Sequence, residues 1–314
     1  RWLVQFYASS EAAHRLAQHG ATNIRQANDS SNANAVRQAS AVSNPMPVVG
    51  LSRDDRLRRA ATLGQYLESA RPAMFAEPSV RFPLVVAQRQ LGLPNHAKRY
   101  FLTLHGRSEN DPWRRCSDTE EWFANSEGLP PPKKLGTCRR TSDRPHLDGQ
   151  FDEPLWKSAD RLRLRGGADD SQASSEVRFV CDVEFLYVAI SCPKSAGGDY
   201  APDNRPRPRD ANLARHDRVT LCFDIDRDYT TAFELTVDQR GWTHDACWGD
   251  ATWNPVWFVA SGGDAATWTV EAAIPLAELV AEPPGPRQVW AMAIQRTAPG
   301  GAGEISLAAC PTPP

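Results

Sequence analysis

Four tryptophans lie close together in the second half of the chain and alternate with polar residues. The rings are Trp242, Trp248, Trp253 and Trp257, with Asp245 and Asn254 between them. An indole ring offers a flat apolar face for stacking, and carboxylate and amide groups beside it can hydrogen-bond to a polar ligand. The segment therefore predicts a binding platform. The alternative is that one or two of the rings pack in the core.

Three carboxylates at a spacing of two, Asp224, Asp226 and Asp228, precede the tryptophans. At the end of a strand such side chains can converge on Ca²⁺, which takes several oxygen ligands. The run is no EF-hand, because Tyr229 stands where that loop needs glycine. The alternative is a solvated acidic hairpin end. No phosphate-binding loop and no hydrolase motif occurs, so we predict no catalytic residues.

Seven cysteines are present, an odd number without any C-x-x-C spacing, which argues against a zinc ribbon. Cys181, Cys192 and Cys222 fall in strand-like runs, where a buried hydrophobic role is expected. Cys116 and Cys138 flank a segment rich in loop signals and are candidates to pair in an oxidising compartment.

The overall composition is that of a folded protein without a nucleic-acid-binding charge. Of 314 residues, 41% are hydrophobic and 24% charged, and the net charge is -2. No run approaches the roughly 20 apolar residues of a membrane span. Residues 1–140 carry a net +8 and residues 141–314 a net -10, which favours two units with different surfaces.

Helical patterns dominate residues 1–125. We predict helices at 1–19, 52–71 (capped by Ser52), 79–91, 94–105 and 117–124, with a flexible loop at 21–47. The helix pair around Gly92 weakly resembles a tetratricopeptide-type repeat, which would serve protein contact. The alternative is a generic helical packing unit.

The remaining chain has the pattern of a β protein. Residues 126–145 contain four prolines and predict a semi-rigid linker. From 146 to 314, short strand-like runs separated by turns predict an antiparallel β-sandwich of immunoglobulin or jelly-roll type. The fold class is therefore α+β and multidomain, with an N-terminal α-helical unit before the sandwich.

Four motifs in this half resemble the family 9 carbohydrate-binding modules, which belong to a wider DOMON-like group of sandwiches. They are residues 145–156 (PHLDGQFDEPLW), 216–224 (HDRVTLCFD), 268–276 (WTVEAAIPL) and the pair Gln295-Arg296. They occur in the family's order between residues 145 and 296. The resemblance says nothing about residues 1–140. Since the family continues into a further strand, it also implies that the sandwich is cut short at its C-terminal end.

The resemblance implies non-catalytic binding of a polysaccharide or oligosaccharide, in bacterial carbohydrate catabolism and commonly beside a glycoside hydrolase. It favours an extracellular or cell-envelope location. The family clamps a sugar between two aromatic rings, one of them from the loop before the second motif. Here that loop, residues 193–215, has Tyr200 as its only aromatic residue. Tyr200 therefore joins the tryptophan platform as a candidate sugar contact.

Cofactors and alternatives also follow from the resemblance. Some members carry structural calcium, in line with the three aspartates. Related cytochrome domains bind haem through His and Met, for which His216 or His244 with Met292 are the candidates here. A competing hypothesis is a structural or interaction scaffold, in which the sandwich has lost its sugar site and the helical unit binds a protein partner.

Overall fold

The computed structural model describes residues 52–126, 128–164, 175–201, 203, 205–208 and 210–298, together with Ala8 and the backbone of 304–306. The predicted helix at 1–19 and loop at 21–47 lie outside these residues, except for Ala8. The first described part is helical. Its helices are α1 (Arg53–Ala70), α2 (Pro72–Phe75), α3 (Pro78–Gln90), α4 (Pro94–Leu104) and α5 (Pro112–Ala124).

Two mainly antiparallel sheets form the second part. The strands are β1 (Arg139–Arg140), β2 (Leu162–Arg163), β3 (Glu176–Cys181), β4 (Phe185–Pro193), β5 (Arg218–Asp224), β6 (Phe233–Asp238), β7 (Thr243–Cys247), β8 (Phe258–Gly263), β9 (Thr267–Pro275), β10 (Ala291–Thr297) and β11 (Glu304–Ser306). Two short helices, α6 (Pro154–Ser158) and α7 (Leu276–Leu279), accompany them.

The first sheet has the strand order β1-β3-β4-β9-β8, with β2 also paired to β3, and the second has the order β11-β10-β5-β6-β7. Residues from both sheets share one apolar core, to which β4 contributes Val188 and Ile190, and β5 and β6 contribute Leu221 and Leu235. The helices thus precede antiparallel sheets that pack as a β-sandwich, in agreement with the pattern of short strands.

The sequence patterns located most elements to within a few residues. Ser52 caps α1 as predicted, because its hydroxyl accepts the backbone N–H of Asp55 at 3.1 Å. Helix α5 begins earlier than predicted, since Pro112 occupies the first turn and Asp111 caps it. The sequence patterns do not predict strand β7, because its residues belong to the tryptophan-rich segment that they indicate as a binding platform.

The linker predicted at 126–145 is partly a strand. Arg139 and Arg140 pair in parallel with Val180 and Cys181 of β3. Thr141 continues the contact by donating its N–H to the carbonyl of Cys181 at 2.8 Å. Backbone pairing therefore extends the sandwich into the proline-rich segment.

The helical part contacts the sandwich through the loop between β5 and β6. The ring of Tyr229 packs edge-on against Phe82 of α3, with centroids 5.2 Å apart. Its hydroxyl donates to Glu120 of α5 at 2.8 Å, and Arg227 donates to the same carboxylate. This contact is a buried polar and aromatic interface, so the two parts are joined by more than the connecting chain.

No helix among the described residues has the length and apolar character needed to cross a bilayer.

Candidate functional site

A buried carboxylate joins the first and third sequence motifs. Glu271 of β9 is fully buried, on the outer face of its sheet. It accepts the backbone N–H groups of Asp148 and Gly149 at 3.0 and 2.9 Å, and the indole N–H of Trp156 at 2.8 Å. Gly149 has φ +81°, and a Cβ there would lie 2.6 Å from the backbone nitrogen of Gly262. These motif residues therefore stabilise the fold.

A second carboxylate joins the remaining motifs. Asp217 accepts the guanidinium Nε–H of Arg296 at 2.9 Å and the indole N–H of Trp268 at 2.9 Å. The Tyr200 hydroxyl also donates to it at 2.8 Å and accepts the N–H of Ser195. Burial raises the pKa of Tyr200. The hydroxyl of the half-buried Tyr200 is therefore engaged in this network, and the role of its ring as a sugar contact stays a prediction.

Two of the four clustered tryptophans lie in the core. Trp253 is 0% exposed and stacks on Phe233 with centroids 5.1 Å apart, and Trp257 is 5% exposed. Asp245 is buried with them on β7, where its carboxylate lies 3.5 Å from the Trp257 indole nitrogen. These residues have no accessible face, which corrects the predicted platform. Asn254 is exposed, but it stands between the two buried rings along the chain.

Trp248 occupies an intermediate position. It has a left-handed backbone with φ 52°, directly after β7. Its ring packs against the sandwich core and also against the helical cluster that contains Leu57 and Leu84. The ring therefore serves the contact between the two parts of the chain.

Trp242 is the remaining ring, and it lies half-buried in the turn between β6 and β7. The Arg240 guanidinium stacks over it at 3.8 Å from the centroid, and Arg205 lies 5.4 Å away. Both arginines bind Oδ2 of Asp203, at 3.2 and 2.6 Å. Arg240 is nearly buried, whereas the Arg205 side chain is largely exposed and can move aside.

Gln239 of the same turn has a buried side-chain oxygen. Its side-chain nitrogen contacts the Asp199 carbonyl and the His216 ring at 3.0 and 3.2 Å. Among the described residues nothing donates to its Oε1 atom. Gln239, Arg240 and Asp203 were missed at the sequence level. The signal available was their position in the sequence, since Gln239 and Arg240 lie three and two residues before Trp242.

The structure brings Asp224, Asp226 and Asp228 together, with one oxygen of each within 4.8 Å of the others. Asp224 accepts the N–H of Tyr229 at 2.8 Å, and Asp228 accepts the N–H of Thr231 at 2.8 Å. Burial, with repulsion from Asp228, raises the pKa of Asp224 to about 7. Burial, with repulsion from Asp226, raises that of Asp228 to about 8. A divalent cation would offset this negative charge, so the residues fit calcium.

The haem candidates are far apart. Met292 lies on β10, while His244 lies on β7, three strands across the same sheet. Three spacings of roughly 4.8 Å separate these strands. His216 precedes β5, whereas Met292 pairs with Phe223 near the other end of that strand. Neither histidine can therefore share one iron with Met292 in this fold, which corrects the haem alternative.

The described cysteines are free thiols. Cys116 is buried among the helices, with the Lys133 amine 3.7 Å from its sulfur. The predicted pairing of Cys116 with Cys138 is therefore not present in this structure. Cys138 instead hydrogen-bonds to Cys181, and this bond, opposed by burial and aided by Arg140, lowers the pKa of Cys181 to about 7.

Comparison with known proteins gives structural neighbours only. No family model matches the chain, and no curated protein matches it. A family 9 carbohydrate-binding module from Caldicellulosiruptor kristjanssonii, in complex with cellotriose, has 16% identity and a TM-score of 0.40, covering 56% of this chain and 85% of that one. The module in complex with glucose has the same identity and TM-score, covering 55% and 86%. A candidate carbohydrate-binding protein from Bacteroides uniformis has 10% identity and a TM-score of 0.38, covering 56% and 89%.

Proposed function

We propose that this chain binds carbohydrate without catalysis, at the turn between β6 and β7. The observation that carries the proposal is the half-buried Trp242 ring, part of which reaches the surface beside polar groups. A pyranose has an apolar C–H face that stacks on such a ring, and its hydroxyls need fixed acceptors and donors. The arginines bound to Asp203 are donors beside the ring.

The arrangement favours a small contact with a sugar chain. Arg240 is held over one side of the ring by Asp238 and Asp203, at 2.6 and 3.2 Å. A sugar therefore stacks on the part of the ring that Arg240 leaves open, and it displaces the exposed Arg205 where the two compete. A single ring with few polar partners predicts weak binding. These few contacts must offset the conformational entropy that side chains and sugar lose on binding.

We also propose calcium as a structural cofactor at Asp224, Asp226 and Asp228. Each fixed carboxylate supplies oxygen to the ion, and the ion supplies the positive charge that the buried pair lacks. This loop also carries Arg227 and Tyr229, which contact the helical part. The ion would therefore strengthen the loop that joins the two parts. The motif resemblance further supports a place in polysaccharide degradation outside the cell or at its envelope.

The second candidate function is an interaction scaffold. The observation that favours it is the burial of Trp253 and Trp257 in the core and of Trp248 between core clusters. If Trp242 alone cannot hold a sugar, the sandwich serves as a support for the helical part, whose exposed face then binds a protein partner.

Titration of the full chain with soluble cello-, xylo- and manno-oligosaccharides distinguishes the two candidates. The titration is run once with calcium and once after chelation. We expect the binding heat to saturate with sugar concentration, and we expect this heat to be lost in Trp242→Ala. The matched control is Trp122→Phe, because Trp122 lies in α5 and donates to the Leu129 carbonyl away from the turn. A flat response to every sugar from the folded chain would contradict sugar binding and favour the scaffold.

A further inference from the structure

A histidine and two carboxylates meet on the surface of the helical part, away from the proposed sugar turn. His105 follows the last turn of α4, and Asp118 and Glu121 lie three residues apart on α5. Residues at this spacing share one face of a helix. The His105 Nε2 atom is 3.0 Å from Glu121 Oε2 and 3.7 Å from Asp118 Oδ1. One ligand atom from each residue lies within 4.8 Å of the other two.

One oxygen of this cluster lacks a partner. Glu121 Oε1 is buried at the atomic level, and among the described residues no group donates to it. A buried carboxylate oxygen without a donor costs free energy unless a cation or water satisfies it. The other oxygen of this carboxylate, Oε2, faces the His105 ring of α4's C-terminal end.

Arg114 fixes the position of the cluster. Its Nε atom donates to Asp118 Oδ1 at 2.8 Å, and its Nη1 atom donates to the His105 carbonyl at 2.5 Å. The end of α4 is thereby held against α5. One arginine offsets one of the two carboxylates, so with a neutral imidazole the cluster keeps a net negative charge. A carboxylate can accept from an arginine and still bind a cation, because it has several lone pairs.

We propose that His105, Asp118 and Glu121 form a Zn²⁺ site that clamps α4 to α5. An imidazole nitrogen with two carboxylates suits zinc, whereas Ca²⁺ and Mg²⁺ prefer oxygen ligands alone. Three protein ligands leave a coordination position for water. The site shares no residue with the sugar turn or with the cluster of three aspartates, and that cluster includes no histidine.

The test is calorimetric titration of the chelator-treated full chain with ZnCl₂, and with MgCl₂ in a parallel run. We expect one zinc-binding event that His105→Gln weakens by about tenfold or more, since a ligand is lost. Glu121→Gln keeps the shape of the side chain and should weaken the same event. The matched control is His96→Gln, because His96 is an exposed histidine of α4 outside the cluster.

Thermal unfolding supplies a second readout on the same variants. Zinc should raise the unfolding temperature of the chain and of His96→Gln, and it should raise that of His105→Gln less. Circular dichroism confirms that each variant is folded. Identical zinc titrations for the chain and for the folded His105→Gln or Glu121→Gln would overturn the proposal, and so would the absence of any zinc binding. Magnesium binding that requires His105 would also contradict the assignment to zinc.

Discussion

Glu120 of the helical part contacts both an arginine of its own part and two side chains of the sandwich, so we expect its removal to be costly. Its carboxylate is 0% exposed and contacts Arg89 of α3. From the β5–β6 loop, Arg227 donates to it at 2.8 Å, as does the Tyr229 hydroxyl. In Glu120→Ala, two guanidinium groups lose their counter-charge within a largely buried interface.

The expected loss follows from the exposure of the two arginines. Removing one partner of a buried ion pair costs about 3–5 kcal/mol. The side chains of Arg89 and Arg227 remain 26% and 19% exposed, so water can partly solvate them in the variant. We therefore expect about 3 kcal/mol, the lower end of that range. Glu120→Gln keeps one acceptor and should cost less.

The assay is urea unfolding at neutral pH, followed by far-UV circular dichroism and tryptophan fluorescence. The matched control is Arg58→Ala, because the Arg58–Asp55 pair in α1 is exposed and is worth at most about 1 kcal/mol. A loss in Glu120→Ala that does not exceed the loss in Arg58→Ala would refute the argument that this interface joins the two parts.

The pH dependence of unfolding tests the same contact. Burial raises the pKa of Glu120, but Arg89 and Arg227 outweigh burial and hold it below its ordinary value. A lowered pKa in the folded state gives stability that is present above the ordinary pKa and is lost as the pH falls through the lowered one. Glu120→Gln should therefore be less sensitive to acid than the unmodified chain.

Three further predictions concern other sites. Glu271→Ala should lower the free energy of unfolding by about 3 kcal/mol, because three N–H donors lose their acceptor, and those of Gly149 and Trp156 are buried; urea unfolding measures this. Calcium at 100 times its dissociation constant should raise the free energy of unfolding by about 2.7 kcal/mol. Asp226→Asn should reduce this gain, as thermal unfolding with calcium and with chelator would show. Alkylation of Cys181 should rise with an apparent pKa of about 7, and Cys138→Ala should move the midpoint upward, as peptide mass spectrometry would show.

Each of these predictions has a control in the same chain. The control for Glu271→Ala is Glu278→Gln, which changes a carboxylate of α7 that is not fully buried. Asp264→Asn changes an aspartate outside the acidic triad and should leave the calcium response intact. Cys192 is buried, which raises its pKa to about 12, so it should stay unmodified at neutral pH. Equal responses of test and control residues would contradict the corresponding prediction.

The sequence alone was informative about local structure. Helix α1 follows from the Ser52 cap and from Leu57 and Ala60 on one helical face, and both residues are buried. The strand-like runs around β4 and β9 were located because β-branched and aromatic residues cluster there between turns. The convergence of Asp224, Asp226 and Asp228 also followed from their spacing at the end of a strand.

The tertiary structure decided which of these residues are available for binding. Spacing cannot tell whether Trp253 and Trp257 face a ligand or the core, because an indole ring suits both, and packing against β6 and β7 buried them. The Glu120–Arg227 contact was equally hidden, since its members are 107 residues apart. Sequence patterns report periodicity within an element, whereas the site depends on which faces of distant elements meet. That choice depends on packing across the whole chain, and it left Trp242 at the surface.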